Sequence, residues 1–181
     1  MCSLRWNGVK ALTLSTLLFA GAANAEMAEW ESASGGNGHT YEVFGVPEGV
    51  SITWQEACYA AETVGGHLAT VTSEEENDFI FSLLADEYWY GGCSGPYLCF
   101  GPWIGGLQAG DDWRWVTGEE FAFTAWEDGE PNDLGGDEDF IRYFTLRGEP
   151  SSRWNDAWNE ARFRTNSYVV EYGTDLSLIH I

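Results

Sequence analysis

Five oxygen-bearing side chains, divided between two segments of the chain, have the types and spacing of a metal-binding site. They are Glu130, Asn132, Glu138, Asn155 and Asp156. Ca²⁺ takes about six to eight hard oxygen ligands from carboxylates, amide carbonyls, backbone carbonyls and water. Three carboxylates and two amides fill most of such a shell and leave positions for outside oxygen atoms. The residues therefore predict a surface calcium site that also accepts the hydroxyl groups of a sugar.

The charge of the chain excludes several classes of partner. It has 29 acidic residues against eight lysines and arginines, a formal net charge of −21. Such a surface repels phosphate backbones and anionic membranes, so we expect no nucleic-acid partner. It suits an exported protein that gathers cations.

The first 25 residues resemble a targeting segment. Arg5 and Lys10 precede an apolar run over residues 11–23, and Ala23-Asn24-Ala25 offers a cleavage site with small residues. The apolar run is shorter than the roughly 20 residues needed to span a bilayer. We therefore expect cleavage near Ala25, no stable membrane insertion, and a secreted, periplasmic or extracellular location. The oligomeric state is left open.

One domain of ordinary size follows the targeting segment. Residues 26–37 are small and polar and predict a flexible lead-in, residues 38–173 predict the folded domain, and residues 174–181 predict a tail outside it. Cys93 and Cys99 are close in a loop that contains glycine and proline, so we expect them to form a disulfide bond. Cys58 is then expected to be a free, buried thiol on a helix.

Two helices are predicted in the first half of the domain. Thr53 and Glu56 form a capping box ahead of a helix that ends at Gly65-Gly66, with apolar residues at helical spacing between them. Ser73 and Glu76 repeat the capping pattern for a second helix that reaches about Leu84.

Short strands and long loops follow. Strands are predicted at His39–Val46, Trp103–Leu107, Trp113–Val116, Phe140–Phe144 and Tyr168–Tyr172. The loop between Val116 and Phe140 is longer than about 12–15 residues, and loops of that length are usually functional. Three of the predicted calcium ligands lie in it.

Seven short motifs occur in the order seen in C-type lectin domains, which the chain resembles over residues 38–173. They are Thr53–Ala57, Gly65–Val71, Trp103–Gly106, Trp113–Gly118, Glu130–Asn132, Trp154–Asp156 and Tyr168–Glu171. The resemblance implies an α+β fold in which two helices flank two small antiparallel sheets beneath a long ligand-binding loop region. The cysteine positions of the family fall on Ala61, Val170 and the neighbourhood of Phe140 and Asn159. The chain therefore looks like a bacterial version without those disulfides.

The resemblance also implies a ligand. Glu130, Asn132, Glu138, Asn155 and Asp156 match the principal calcium- and sugar-binding site of the family, and Pro131 is expected in the cis form. The order Glu-Pro-Asn is associated there with mannose-type sugars, whose two vicinal equatorial hydroxyls bind the ion. Glu130 with Asn132, and Glu138 with Asn155, would supply one acceptor and one donor to each hydroxyl.

Several further roles are predicted around this site. Trp158 has a place from which it can stack on a sugar or pack at the rim, and both alternatives stay open. The resemblance also implies a second calcium, with Asp133, Glu138 and Asp139 on the loop side and Asp111 or Asp112 as the remaining ligand.

The sequence supports two other functions, an enzyme and an adhesion module, less well than sugar binding. No nucleophile motif is present and calcium-bound carboxylates are poor proton donors, so we expect no enzyme activity. The alternative function is an adhesion module that binds protein or another surface without sugar. It is favoured by the aromatic residues of the insert at Asp86–Pro102, which are Tyr88, Trp89, Tyr90 and Tyr97.

Overall fold

The computed structural model describes residues 27–84, 89–90, 100–146, 149–159 and 165–173. The predicted targeting segment and tail lie outside these residues, as do Cys93 and Cys99. The helices of the described part are α1 (Trp54–Thr63) and α2 (Glu74–Leu83). Its strands are β1 (Ala28–Glu29), β2 (Thr40–Gly45), β3 (His67–Leu68), β4 (Phe100–Ala109), β5 (Asp112–Trp115), β6 (Phe140–Leu146), β7 (Glu149–Ala157) and β8 (Ser167–Tyr172). Neither helix is long and apolar enough to cross a bilayer.

Both helices begin where the capping signals predict. Thr53 and Glu56 form the complete capping box of α1, with the backbone N–H of Thr53 donating to Glu56 Oε2 over 2.9 Å. In α2 the Ser73 hydroxyl accepts from the backbone N–H of Glu76 over 3.1 Å. The carboxylate of Glu76 is instead buried and accepts the backbone N–H of Thr72 over 2.6 Å. Only half of the second predicted capping box is therefore present.

The strands of the described residues form one eight-stranded sheet. Its order is β1-β2-β8-β4-β6-β7, with β3 paired to β8 and β5 paired to β4. The pairings are antiparallel except that of β4 with β8, which is parallel at Trp103 and Tyr168. This parallel contact joins the two predicted antiparallel groups. The sequence did not predict β7, which carries Asn155 and Asp156.

The core surrounds two tryptophans that hydrogen-bond across it. Trp103 Nε1 donates to the carbonyl of Ile52 over 2.8 Å, and Trp54 Nε1 donates to the carbonyl of Ile104 over 2.8 Å. Both indole N–H groups are thus satisfied, as is usual for buried tryptophan. Ala61 and Val170, at the positions of the missing family cysteines, are fully buried in the same apolar cluster as Trp103.

The predicted flexible lead-in is wrong for its described part. Ala28 pairs with Tyr41 at the edge of the sheet, and Trp30 stacks on Phe79 of α2 with ring centroids 5.9 Å apart. These contacts give the segment apolar area and backbone hydrogen bonds that its composition did not predict.

The expectation of a free Cys58 is also wrong. Cys58 is fully buried on α1 and is disulfide-bonded. Its partner lies outside the described residues, as does the predicted pair of Cys93 with Cys99.

Candidate functional site

The fold brings the two segments of the predicted site together at one end of β6 and β7. Ile141 pairs with Asp156, and Arg142 pairs with Asn155, across these strands. The loop that precedes β6 is tied to β7 because the backbone N–H of Trp154 donates to Ala125 O over 2.8 Å. Glu130, Asn132 and Glu138 of that loop therefore lie beside the strand that carries Asn155 and Asp156.

Asp156 joins the segments directly. It is fully buried, and its carboxylate accepts the backbone N–H groups of two loop residues. Asn132 N–H donates to Oδ1 over 3.1 Å, and Asp133 N–H donates to Oδ2 over 2.7 Å. One side chain of β7 thus fixes the loop at the residues that follow Pro131.

The Glu130–Pro131 peptide bond is cis, which confirms the expectation from the family resemblance. The two flanking side chains meet, since Asn132 Nδ2 donates to Glu130 Oε2 over 2.6 Å. This pair presents an acceptor and a donor side by side at the exposed surface of the loop.

Glu138 is held from the other side of the loop. Its Oε2 accepts the backbone N–H of Leu134 over 2.7 Å, and its own N–H donates to Asp133 Oδ1 over 3.2 Å. Asp133 has a positive φ of 45°, and Gly135 and Gly136 also have positive φ. These conformations, which favour glycine, let the loop turn back so that Glu138 lies near Asp156.

Glu138 and Asn155, which are expected to serve one sugar hydroxyl together, are not joined by a hydrogen bond in the described part of the chain. Asn155 acts instead on Glu130, where its amide counteracts part of the rise in the pKa of that carboxyl group. Its Oδ1 accepts from Nε and Nη2 of Arg142, over 3.4 and 3.3 Å. No local pattern marks Arg142 as part of the site, because an arginine within a strand is normally solvent-exposed.

Burial and neighbouring carboxylates raise the pKa values of two carboxyl groups in the site. The pKa of Glu130 is raised to about 7, first by burial and then by the hydrogen bond and charge of Asp156. The pKa of Glu138 is also raised to about 7 by burial and by the charges of Asp156 and Asp133, although Leu134 N–H and Arg142 oppose the rise. A bound cation would offset this repulsion between carboxylates.

The five candidate ligands are of the chemical type that binds a hard divalent cation, since carboxylate and amide oxygens are the ligands that Ca²⁺ prefers. In the described part of the chain, however, no three carboxylate, imidazole or thiolate groups converge closely enough to hold a metal. Internal N–H donors occupy oxygens of all three carboxylates. The calcium site therefore remains a proposal.

The residues predicted for a second calcium are divided between two places. Asp133 and Asp139 lie in the loop, where burial and the charges of Asp133 and Asp137 raise the pKa of Asp139. Asp111 lies in the exposed turn between β4 and β5, and Asp112 is the exposed first residue of β5. The carbonyl of Asp139 accepts the backbone N–H of Gln108 on β4 over 2.7 Å, but among the described residues no hydrogen bond or ion pair joins the side chains of the two places. The second site therefore stays a prediction.

Trp158 lies next to the loop, immediately after β7. A β-carbon placed on Gly135 would stand 3.8 Å from Trp158 Cζ2, so the indole edge faces the turn of the loop. Leu134, one residue earlier, is 63% exposed. These two residues place apolar surface at the rim of the site.

Residues 50–165 match the family described as Lectin C-type domain, and the chain belongs to that family. Its members are generally binding proteins rather than enzymes. Ladderlectin of Oncorhynchus mykiss is 36% identical over 106 residues, which cover 58% of this chain and 50% of ladderlectin. The chain thus spans about half the length of this relative.

Solved structures confirm the fold. The cow C-type carbohydrate-recognition domain of CD23, crystallised in the presence of a GlcNAc2Man3 oligosaccharide, is 26% identical with a TM-score of 0.53. The alignment covers 74% of this chain and 87% of that domain. A calcium-independent type II antifreeze protein has the same fold at 20% identity, with a TM-score of 0.52 and coverage of 75% and 86%.

Proposed function

We propose that this protein is a calcium-dependent lectin for mannose-type glycans. One observation supports the proposal above others: Asp156 accepts the N–H groups of Asn132 and Asp133 and so unites the two oxygen-rich segments. The glycan present with the CD23 domain is consistent with the substrate class.

The side chains offer the complementary groups that a sugar hydroxyl needs. A hydroxyl is both a donor and an acceptor. Glu130 and Asn132 are already paired as acceptor and donor, so a hydroxyl inserted between them would donate to the carboxylate and accept from the amide. Glu130, Asn132, Glu138, Asn155 and Asp156 would hold the calcium, which supplies positive charge and open positions for two neighbouring hydroxyl oxygens.

A glycan array tests this function, with the protein applied once in millimolar Ca²⁺ and once in EGTA. We expect a signal on mannose, fucose, glucose and N-acetylglucosamine that disappears with EGTA. The double variant Glu130→Gln with Asn132→Asp changes the acceptor–donor order and should lose mannose binding. The double variant leaves the net charge unchanged, and Glu48→Gln controls for the loss of one glutamate, because Glu48 is exposed on a turn outside the site.

The absence of any calcium-dependent signal would contradict the proposal. Binding that persists in EGTA, and in the Glu130→Gln, Asn132→Asp variant, would support a sugar-independent adhesion module instead. The feature that favoured that alternative is weaker than the sequence suggested, because Trp89 and Tyr90 are both buried. The remaining aromatic residues of the insert, Tyr88 and Tyr97, lie outside the described residues.

We also propose that the protein is exported with cleavage near Ala25, on the evidence of its N-terminal sequence. Sequencing the N-terminus of protein recovered from outside the cytoplasm should give a chain that begins near Glu26. Recovery of the uncleaved chain from the membrane fraction would show that the segment is a retained anchor.

A further inference from the structure

Arg142 is a buried cation immediately behind the proposed binding site. It is 2% exposed on β6 and pairs across the sheet with Asn155 of β7. Removing a guanidinium from water is costly unless its N–H groups and charge are compensated. Arg142 is buried at this cost in free energy beside the candidate calcium ligands, and its contacts with them indicate its function.

The hydrogen bonds of Arg142 set the orientation of the Asn155 amide. A guanidinium has donors and no acceptor, so the atom of Asn155 that faces it is the carbonyl oxygen. Nε and Nη2 both donate to that oxygen, while Nη1 donates to Thr165 Oγ1 over 3.1 Å. The amide nitrogen of Asn155 therefore points away from the guanidinium.

The charge of Arg142 is directed toward the same site. Its guanidinium carbon lies 3.8 Å from the ring centroid of Phe100 and 5.4 Å from that of Trp103, so aromatic faces cover it on the core side. Among the described residues no carboxylate forms an ion pair with it within 4.0 Å. The negative charges that act on it are those of Glu138, Asp156 and Glu130.

We propose that Arg142 is the built-in counter-ion of this site: it stabilises the ligand-bearing loop and strand before calcium binds, and it lowers their affinity for calcium. The second part rests on the proposed function. Two cations beside one group of carboxylates would repel each other, and Arg142 already binds the Asn155 oxygen that calcium would need. Calcium binding would then be tuned to the higher concentrations found outside cells.

Arg142→Gln tests the charge, because glutamine keeps one N–H donor for Asn155 and removes the cation. Calorimetric titration should show calcium bound about tenfold more tightly than by wild type. In EGTA the melting temperature should fall, and the rise on adding calcium should exceed that of wild type. Arg114→Gln is the matched control, since Arg114 is 62% exposed on β5. It should leave both quantities unchanged.

Arg142→Lys tests whether the charge of Arg142 or the geometry of its hydrogen bonds matters. It also replaces Arg142→Gln as the test if that variant does not fold. Lysine keeps the cation and loses the planar fork. We expect a lower melting temperature with calcium affinity within about threefold of wild type. Equal or weaker calcium binding by folded Arg142→Gln, or tenfold tighter binding by Arg142→Lys, would overturn the proposal.

A double-mutant cycle separates this inference from the proposed function. If wild type binds no calcium, the lectin proposal fails, yet the counter-ion role is still measured in EGTA. Arg142→Gln and Glu138→Gln should then be coupled, so that the double variant is more stable than the sum of the two single losses predicts. Additive losses would show that Arg142 does not compensate the charge of the site.

Discussion

Asn132 donates its backbone N–H to Asp156 Oδ1 over 3.1 Å, across 24 residues of sequence. The next N–H, that of Asp133, donates to the second oxygen of the same carboxylate over 2.7 Å. Asp156 is therefore both a candidate metal ligand and the residue that orders the loop. Its two roles predict different results in the presence and absence of calcium.

Asp156→Asn should destabilise the protein even without metal. An amide has one acceptor oxygen, so one of the two loop N–H groups loses its charged partner, at a cost of about 1–3 kcal/mol. With calcium the gap should widen, because wild type gains about 2.7 kcal/mol at a hundredfold excess over its Kd and the variant has lost a ligand. Thermal unfolding in Ca²⁺ and in EGTA measures both effects, with Glu48→Gln as the control. A variant that melts like wild type in EGTA would contradict the ordering role.

A buried carboxylate far from this site predicts a pH dependence of stability. Glu171 Oε1 hydrogen-bonds to His39 Nδ1 at 2.5 Å, and its Oε2 accepts from the N–H and hydroxyl of Thr70 over 2.8 and 2.9 Å. Burial raises the pKa of Glu171, but His39, His67 and Thr70 outweigh it and leave the pKa below its ordinary value. The hydrogen bond to Glu171 raises the pKa of His39, against burial and together with the charges of Glu171, Glu119 and Glu76.

The pKa shifts of Glu171 and His39 define a range of pH in which this pair stabilises the folded protein most. The contribution of Glu171 is present above its unfolded pKa of 4.5 and is lost as the pH falls below it. The contribution of His39 is complete below its unfolded pKa of 6.5 and is lost as the pH rises through the raised folded value. The difference in melting temperature between wild type and His39→Gln should therefore be largest at about pH 5.5 and shrink toward about pH 8. A difference that grows with pH would contradict the assignment.

The helices and the ligand segments were predictable because their signals are local. Thr53 and Glu56 identify the start of α1 by a capping box that the structure contains in full. The two oxygen-rich segments are readable from residue type alone. By contrast, β7 begins with Glu149-Pro150-Ser151-Ser152, which has no alternating apolar pattern, and it forms a strand because β6 provides backbone partners.

Buried charges were the part that sequence reasoning missed. Arg142, Glu76 and Glu171 are each at most 2% exposed, although charged residues are mostly on the surface. Their burial depends on partners from distant segments. Tyr41, for example, donates its hydroxyl to Glu76 over 2.6 Å, and the two are 35 residues apart. Such pairs exist only after the chain has folded, so no local pattern marks them.

The disulfide bond of Cys58 predicts a revised pairing. The other cysteines of the chain are Cys2, Cys93 and Cys99, and Cys2 lies in the proposed targeting segment. We therefore expect Cys58 to bond with Cys93 or Cys99, which leaves the other one unpaired and excludes the bond between them. Proteolytic mapping without reduction should give one cross-linked peptide that contains Cys58. A peptide in which Cys93 and Cys99 are linked, with Cys58 alkylated, would restore the original expectation.

Trp158 should affect sugar affinity without affecting the metal. Its indole edge faces Gly135 at the rim of the site, and none of its atoms belongs to the candidate ligand set. If the ring packs on a bound sugar, Trp158→Ala should weaken mannose binding by about fivefold to tenfold, which corresponds to about 1 kcal/mol for an aromatic contact. Calcium affinity should stay the same, and Trp158→Phe should recover part of the sugar affinity. Titrations of calcium and of methyl mannoside measure the two constants separately. Unchanged sugar affinity in Trp158→Ala would show that the indole has a purely structural role, and a parallel loss of calcium binding would show that it supports the loop that carries the ligands.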